Sequence, residues 1–401
     1  MQKTILLSFL LLSSLFSNEK HLILAEGNGW FPHMAKNLIA NHKTISKLPF
    51  SGFIMVGNHY TNLVMEKDRK LTYNYVWNEI KGMKDLYKKQ THNFLQVNIL
   101  SPGDFWDDNA WEQVNKNFAI VAKVAKDLGF RGIVFDDEAY NPAAKKMLNF
   151  KFPTIEEVKE SPKLYSSWEK KGAQHPWVDK NAYRNPKYTF KEHIEKITYR
   201  FKNIMHSMVE NYPNLDVLVY LGPSLSHPNS NRKYPVVVDL GKPRNHEFHG
   251  AIFLGLKQGL NAKASLHDMG ESYKYRKDEH FRNAYEWRKY NIAKDKFNDK
   301  LNENYQWRIP KSERNTWSDE VKIGFMVSNK GQKSTVDGFT TLNSSSRVDI
   351  GKTLKKALRF SDKYVIYYSR EQDWLLPNKK YPLPNSWMEM MKEVYKTKSN
   401  Q

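Results

Sequence analysis

Arg131-Gly132-Ile133-Val134-Phe135-Asp136-Asp137-Glu138-Ala139-Tyr140 is the stretch that decides how this chain is read. A short apolar run rich in β-branched residues ends in three carboxylates and a tyrosine. Packing alone gives no reason for an apolar strand to end in three acids. Crowded carboxylates repel one another and shift each other's proton affinity, and such clusters are where proteins place acid/base chemistry. The competing reading, a strand that ends in a solvated acidic turn, must be decided by the rest of the chain.

Outward from that stretch the same pattern recurs. Strand-like runs are expected at 21–25, 51–56, 94–99, 132–135, 215–221, 263–269, 321–328 and 363–369. Helical periodicity falls between them. Residues 75–89 carry Trp77, Ile80, Met83 and Leu86 on one side. Residues 109–128 carry Trp111, Val114, Phe118, Val121, Val124 and Leu128, and Gly129 marks the end. Further helices are expected at 188–210, 251–260, 275–303, 347–360 and 384–395. Short apolar strands alternating with helices imply a parallel sheet covered by helices. Eight such units imply an α/β fold, a single (β/α)8 TIM-type barrel. No dinucleotide fingerprint follows the first strand, which weighs against a Rossmann reading. Residues 141–187 form a long loop after the fourth strand, too long for a plain connection and expected to act as a lid.

In a (β/α)8 barrel the active residues sit at the C-terminal ends of the strands. The polar residues of this chain fall there: Glu26, Asn98, Asp136, Asp137, Glu138, Tyr220, Asp268, Glu271, Tyr368 and Glu371. Alternation puts Val134, Asp136 and Glu138 on one face and Asp137 on the other. Two carboxylates at one mouth allow a proton donor beside an ionised partner, the arrangement that glycoside hydrolysis needs. Trp30, Tyr140, Tyr273, Tyr368 and Trp374 follow strand ends and could stack on sugars or pack as core. Asp137 and Asp268 count among the substrate-binding candidates, although the alternation favours a structural part for Asp137, paired with a basic residue behind the strand. Asn245-His246-Glu247-Phe248-His249 has metal-ligating residue types but no third ligand of known geometry, so no metal is expected. Ser224 and Ser226 near His227 lack the Gly-x-Ser-x-Gly of a nucleophile elbow.

Composition narrows the setting. Residues 1–17 read as a signal peptide: Met1-Gln2-Lys3 is basic, residues 5–16 are a compact apolar run, and cleavage is expected after Ser17. That run is too short to span a bilayer, and no stable membrane span is expected once it is removed. Residues 18–401 then form one barrel domain. The chain has no cysteine, so thiolate chemistry is excluded and a large core must hold the fold without disulfides. Export without cysteine implies a periplasmic or secreted bacterial protein. The net charge of +20 in such a protein points to anionic glycans or membrane surfaces and not to nucleic acid, or else to lysines spread over solvated helix faces.

Gly132-Ile133-Val134-Phe135-Asp136-Asp137-Glu138 resembles the fourth-strand signature of the chitinase-like glycosidases, Gly-Ile-Asp-Leu-Asp-x-Glu. The resemblance implies Glu138 as proton donor and Asp136 as its partner; the first aspartate of the signature is Val134 here. The layout is also similar to bacterial TIM-barrel proteins described as glycoside-hydrolase-like. The matching pieces are Leu48-Pro49-Phe50-Ser51-Gly52, the run Phe135 to Tyr140, Asp268-Met269-Gly270-Glu271-Ser272-Tyr273, and the run Tyr364 to Trp374. The expectation is an exported glycoside hydrolase acting on a carbohydrate, acidic or neutral, with no cofactor. Glu138, Asp136 and Glu271 form the catalytic set, with Asp268 and Glu371 as alternatives to Glu271. The other readings are a carbohydrate-binding barrel without catalysis, and a polysaccharide lyase or deacetylase on the same fold.

Overall fold

The computed structural model describes residues 19–26, 34–57, 59–66, 68–99, 104–138, 188–226, 248–270, 272–273, 275–295, 309–328, 344–369, 374–375 and 385–397. The expected leader 1–17 and the expected lid 141–187 lie outside them.

The strands are β1 (His21–Glu26), β2 (Gly52–Met55), β3 (Phe94–Asn98), β4 (Gly132–Asp136), β5 (Asp216–Val219), β6 (Ser265–Asp268), β7 (Val321–Ile323), β8 (Phe325–Ser328) and β9 (Tyr364–Ser369). They form one sheet in the order β7-β6-β5-β4-β3-β2-β1-β9-β8. Every ladder is parallel. The two ends of the sheet, β7 and β8, are separated in the chain only by Gly324, so the sheet curls into a nearly closed barrel. Among the described residues eight helices of six residues or more cover it: α1 (Ala35–Ala40), α2 (Tyr73–Ile80), α3 (Asp108–Leu128), α4 (Phe190–Asn211), α5 (His249–Gln258), α6 (Asp278–Glu286), α7 (Ser344–Phe360) and α8 (Asn385–Thr397).

Strand alternation divides the apolar residues into two cores. Ile23, Ile54, Phe94, Val134, Leu218 and Ile366 point into the barrel. Leu22, Phe53, Leu95, Phe135, Val217 and Tyr367 point outward against the helices. Full burial of side chains this large stabilises the fold by roughly 1.5–3 kcal/mol each.

Helix α3 shows how the local code and the packing agree. The Asp107 carboxylate caps its first turn by accepting from the Ala110 N–H at 3.0 Å. Gly129 ends it at φ 76°. On its buried face Asn117 replaces an apolar residue. Its amide donates to the Val64 and Arg69 carbonyls and accepts from the Leu71 N–H, which fixes the connection after β2. Helix α2 is shorter than the periodicity predicts. It ends in a 3-10 turn at Lys81–Met83, because the backbone leaves the helical region at Ile80 (φ -131°, ψ -2°) and turns extended at Lys84.

The charged stretch after β6 also departs from a solvated helix. Past α6 the chain widens into a π-helical turn, Trp287–Asn291, and buries Arg288 and Lys289. Arg288 donates to the Asp268 carboxylate and carbonyl at 3.1 Å and to the Gly324 carbonyl at 2.8 Å. Lys289 donates to the Val321 carbonyl at 2.8 Å and to Asp362 at 2.9 Å. The two cations tie the chain break at Gly324 to the helix layer.

At the N-terminal end of the barrel Asp216 collects five donors: Arg131 through Nε (2.7 Å) and Nη2 (2.9 Å), Lys363 Nζ (2.8 Å), Tyr364 OH (2.6 Å) and Ser265 Oγ (2.6 Å). Gly132 makes room for the strand that carries it, since a Cβ there would stand 1.8 Å from the Asp216 carbonyl oxygen. Burial alone would raise the Asp216 carboxyl, but His267, Arg131 and Lys363 outweigh it and hold it well below the usual carboxylate range. Burial pulls the His267 imidazole down to about 3. It is therefore neutral near pH 7, and the guanidinium and ammonium keep Asp216 ionised. Burial, with Lys363 and Arg131, pulls His92 down to about 4.

These shifts set the acid stability. The two histidines take up protons on unfolding between pH 6.5 and their lowered values, so stability falls as pH drops through that window. Asp216 adds a further loss from about pH 3.8 downward. Denaturant unfolding between pH 7 and 4 should lose roughly 1 kcal/mol per pH unit for each of His267 and His92. The single change His267→Gln should flatten the slope, and an unchanged slope would count against the assignment. Asp216→Asn should cost about 3 kcal/mol at pH 7 by leaving Arg131 and Lys363 without a counter-charge.

Candidate active site

The interior face of the sheet turns polar at its C-terminal end. β3 places Phe94, Gln96 and Asn98 inward, and the last two carry amides. β4 places Val134 and Asp136 inward, with Glu138 just beyond. β5 is followed by Tyr220, β6 by Met269 and Tyr273, and β9 carries Tyr368 near its end.

Hydrogen bonds join the two amides, Asp136, the Glu138 backbone and Tyr220 into one network. Asn98 Nδ2 donates to Asn62 Oδ1 at 2.9 Å. Gln96 Nε2 donates to Asn98 Oδ1 at 3.0 Å and to Asp136 Oδ2 at 2.9 Å. Tyr220 OH donates to Gln96 Oε1 at 3.3 Å. The Glu138 N–H donates to Asp136 Oδ1 at 3.2 Å. Asp136 is buried and Glu138 half-buried. Burial, then the charges of Asp136, Tyr368 and Glu138, push the Tyr220 phenol far above its usual range, so it remains a neutral donor. Tyr273 and Tyr368 stack at 5.9 Å with 17° between their planes, and Tyr273 OH lies 3.6 Å from Met326 Sδ.

Of the residues singled out in the sequence, Asn98, Asp136, Glu138, Tyr220, Tyr273 and Tyr368 therefore meet at one mouth. Four others do not join them: Glu26, Asp137 and Asp268 alternate to the outer face, and Trp374, beyond β9, packs into the outer core. Glu26 accepts from the Trp374 and Leu375 N–H groups, the second at 2.7 Å, and so caps the chain beyond β9. Trp374 packs edge-on against Phe50 at 5.2 Å and belongs to the outer core, not to a stacking wall. Asp268 pairs with Arg288 beneath the helix layer. Asp137 faces α5. Trp30, Tyr140, Glu271 and Glu371 lie outside the described residues. Gln96 and Asn62 escaped the sequence reading. Gln96 could have been found, since it breaks an apolar strand two residues before Asn98 on the same face. Asn62 carries no such signal, because only the fold brings it to β3.

Asp137 has a structural part. Its Oδ1 accepts from the Leu221 N–H at 2.9 Å, and its carbonyl accepts from His249 Nε2 at 2.8 Å. These bonds tie the end of β4 to β5 and α5. Its Oδ2 is buried, 3.8 Å from His249 Nε2, with no hydrogen-bond partner among the described residues. Burial, and then the charges of Asp136 and Glu138, push this carboxyl well above the usual range against the pull of the Leu221 bond.

Among the described residues no group of three His, Asp or Glu side chains could hold a metal ion, and no helix is long and apolar enough to cross a membrane. A polar cavity of about 750 Å³ lies elsewhere, between α5 and the chain leading into β7. The buried Lys257 ammonium there is already paired with Glu313 at 2.7 Å and with Glu320.

No family model matches the chain, and comparison with curated proteins found no match. Among solved structures it is similar to a broad-specificity endoglucanase from an uncultured bacterium (11% identity, 89% of this chain and 84% of that one, TM-score 0.45). It is similar to a chitinase from Pseudoalteromonas aurantia (9% identity, 93% and 99%, TM-score 0.38). It is also similar to a D-allulose 3-epimerase from Methylomonas sp. (10% identity, 95% and 98%, TM-score 0.39). Likenesses this distant carry neither a chemistry nor a family, and unrelated activities share barrels of this kind.

The raised Asp137 carboxyl makes a test. A buried acid with a raised folded-state pKa loses stability as pH rises from about 3.8 towards that value. Asp137→Asn removes this loss. From pH 4 upward its unfolding free energy should gain on the parent by about 1 kcal/mol per pH unit until the folded-state value is passed. A difference that stays flat with pH would show that Asp137 is ionised in the fold.

Proposed function

We propose that this protein is an exported glycosidase-like hydrolase of carbohydrate, built on an eight-stranded barrel and acting through Glu138 and Asp136. The count of eight is supported by reading β7 and β8 as one strand bent at Gly324. The ladder runs on through the bend: the Gly324 N–H donates to the Asp268 carbonyl at 2.9 Å, and the Ser272 N–H to the Met326 carbonyl at 3.0 Å. Following the registers once round the sheet returns to β1 displaced by eight residues, which matches the shear of a (β/α)8 barrel.

The observation that carries the reading is the buried carboxylate of Asp136, hydrogen-bonded to the Glu138 backbone and to the Gln96 amide at the C-terminal mouth. Such a mouth is where barrels of this class do chemistry. Glu138 would protonate the glycosidic oxygen, and Asp136 would supply fixed negative charge next to the developing oxocarbenium ion. Glu271 remains the candidate for nucleophile or base. A carboxyl separation of about 5–5.5 Å would make the reaction retaining and about 6.5–9.5 Å inverting. Tyr220, Tyr273 and Tyr368 give the mouth hydroxyls and ring faces suited to a sugar. The basic charge favours an acidic polysaccharide over a neutral glycan. Removal of 1–17 would leave residues 18–401 as one catalytic domain in the periplasm or outside the cell, with 141–187 as a lid.

One observation favours a carbohydrate-binding barrel without hydrolysis. Asp268, the described acid on β6, is turned away from the mouth and neutralised by Arg288. That leaves the described carboxylates of the mouth on β4 alone.

Glu138→Gln separates the two. A hydrolase should lose at least about 10³-fold in turnover on a panel of acidic and neutral glycans while retaining affinity. Binding without release of reducing ends by the parent protein across the whole panel would favour the binding module.

A further inference from the structure

We propose that Gln96 is a positioning residue: anchored by Tyr220, its amide holds Asp136 as a fixed carboxylate beside Glu138. The inference rests on the carboxylate reading of the mouth and names the device that makes the two acids different.

The Gln96 amide is fully committed. Both Nε2 hydrogens are used, one on Asn98 Oδ1 at 3.0 Å and one on Asp136 Oδ2 at 2.9 Å, and Oε1 accepts from Tyr220 OH at 3.3 Å. Its orientation follows from chemistry. An ionised carboxylate only accepts, so the NH2 must face Asp136. A flipped amide would set Oε1 against the carboxylate and Nε2 against the Tyr220 hydroxyl. Tyr220 is buried, and its hydroxyl, donating to Oε1, anchors the amide from the other side.

The remaining oxygen of Asp136, Oδ1, accepts from the Glu138 N–H. Donors thus reach both oxygens, and each favours the ionised form. The strand's own inward neighbour cannot supply them, because two residues before Asp136 on the same face stands Val134. The register pairs Val134 with Gln96, so the side chain that fills this place crosses from β3. Glu138 differs. It is half-buried, and its link to Asp136 runs through its backbone N–H. The titratable groups that share the mouth with Asp136 among the described residues are Glu138 from its own strand, Tyr220 after β5, Tyr273 after β6 and Tyr368 from β9.

The test follows the Asp136 carboxyl directly in the full chain. Aspartate is labelled with ¹³C at the carboxyl carbon, and the resonance is assigned by its loss in Asp136→Asn. Gln96→Met keeps the volume and removes the donors, and should raise the Asp136 titration midpoint by about one pH unit, a tenfold change in proton affinity. Tyr220→Phe frees the amide without removing it and should raise the midpoint by less. An unchanged midpoint in folded Gln96→Met overturns the proposal. If that variant does not fold, an unchanged midpoint in Tyr220→Phe does so. The titration needs no substrate, so the two ideas fail separately. A raised midpoint in a protein that hydrolyses no glycan leaves the role of Gln96 standing and removes the hydrolase. An unchanged midpoint in a protein that does hydrolyse glycan removes only the role of Gln96.

Discussion

A single buried carboxylate closes the N-terminal end of this barrel. Asp216 stands on β5 and draws donors from four places: Arg131 before β4, Ser265 on β6, and Lys363 and Tyr364 at the start of β9. Because these donors come from opposite sides of the sheet, the contact sets how far the strands slide past one another. A one-residue slip on any strand would turn its inward residues outward. It would also leave a buried charge unpaired, which costs several kcal/mol. The polar mouth at the other end depends on that register, since it is the alternation from Asp216 through Leu218 that aims Tyr220 inward.

At the mouth, neighbouring residues are separated by which face of the sheet they take. Asp136 and Asp137 are adjacent and chemically identical. One is held by Gln96 in the interior; the other is buried under α5 with a carboxyl pushed upward by burial. Buried charge under the helix layer is also used for construction. Arg288 and Lys289 bind the Gly324 carbonyl, the Val321 carbonyl and the carboxylates of Asp268 and Asp362. They steady the point where β7 gives way to β8.

Much of the fold was legible. Seven of the eight expected strands coincide with an observed one to within a residue or two, and 321–328 covers both β7 and β8, because a strand buried on both faces is a short run of β-branched and aromatic residues bounded by polar turns. Helix α3 was legible for the same kind of reason, with its apolar face, its Asp107 cap and its Gly129 stop in register. The failures share a cause. The end of α2 is set by a backbone break at Ile80, and the burial of Arg288 and Lys289 by a π turn. Neither leaves a mark on hydrophobic periodicity.

The sequence by itself determined the alternation of strands and helices and the gathering of acids, amides and tyrosines at strand ends. Both are local properties that a period of two or of 3.6 residues writes directly into the chain. It also determined that Asp136 and Asp137 must face opposite ways. Only the tertiary structure decided which strand-end residues share a site. Glu26, Asp268 and Trp374 have the right chemistry and the right height but the wrong face, and nothing local separates them from Asn98 or Tyr368. Gln96 acquires its place because the β3–β4 register sets it opposite Val134 and the β5 crossover brings Tyr220 to its other side. Those are contacts between residues about 40 and 124 positions apart, and only the closed sheet brings them together.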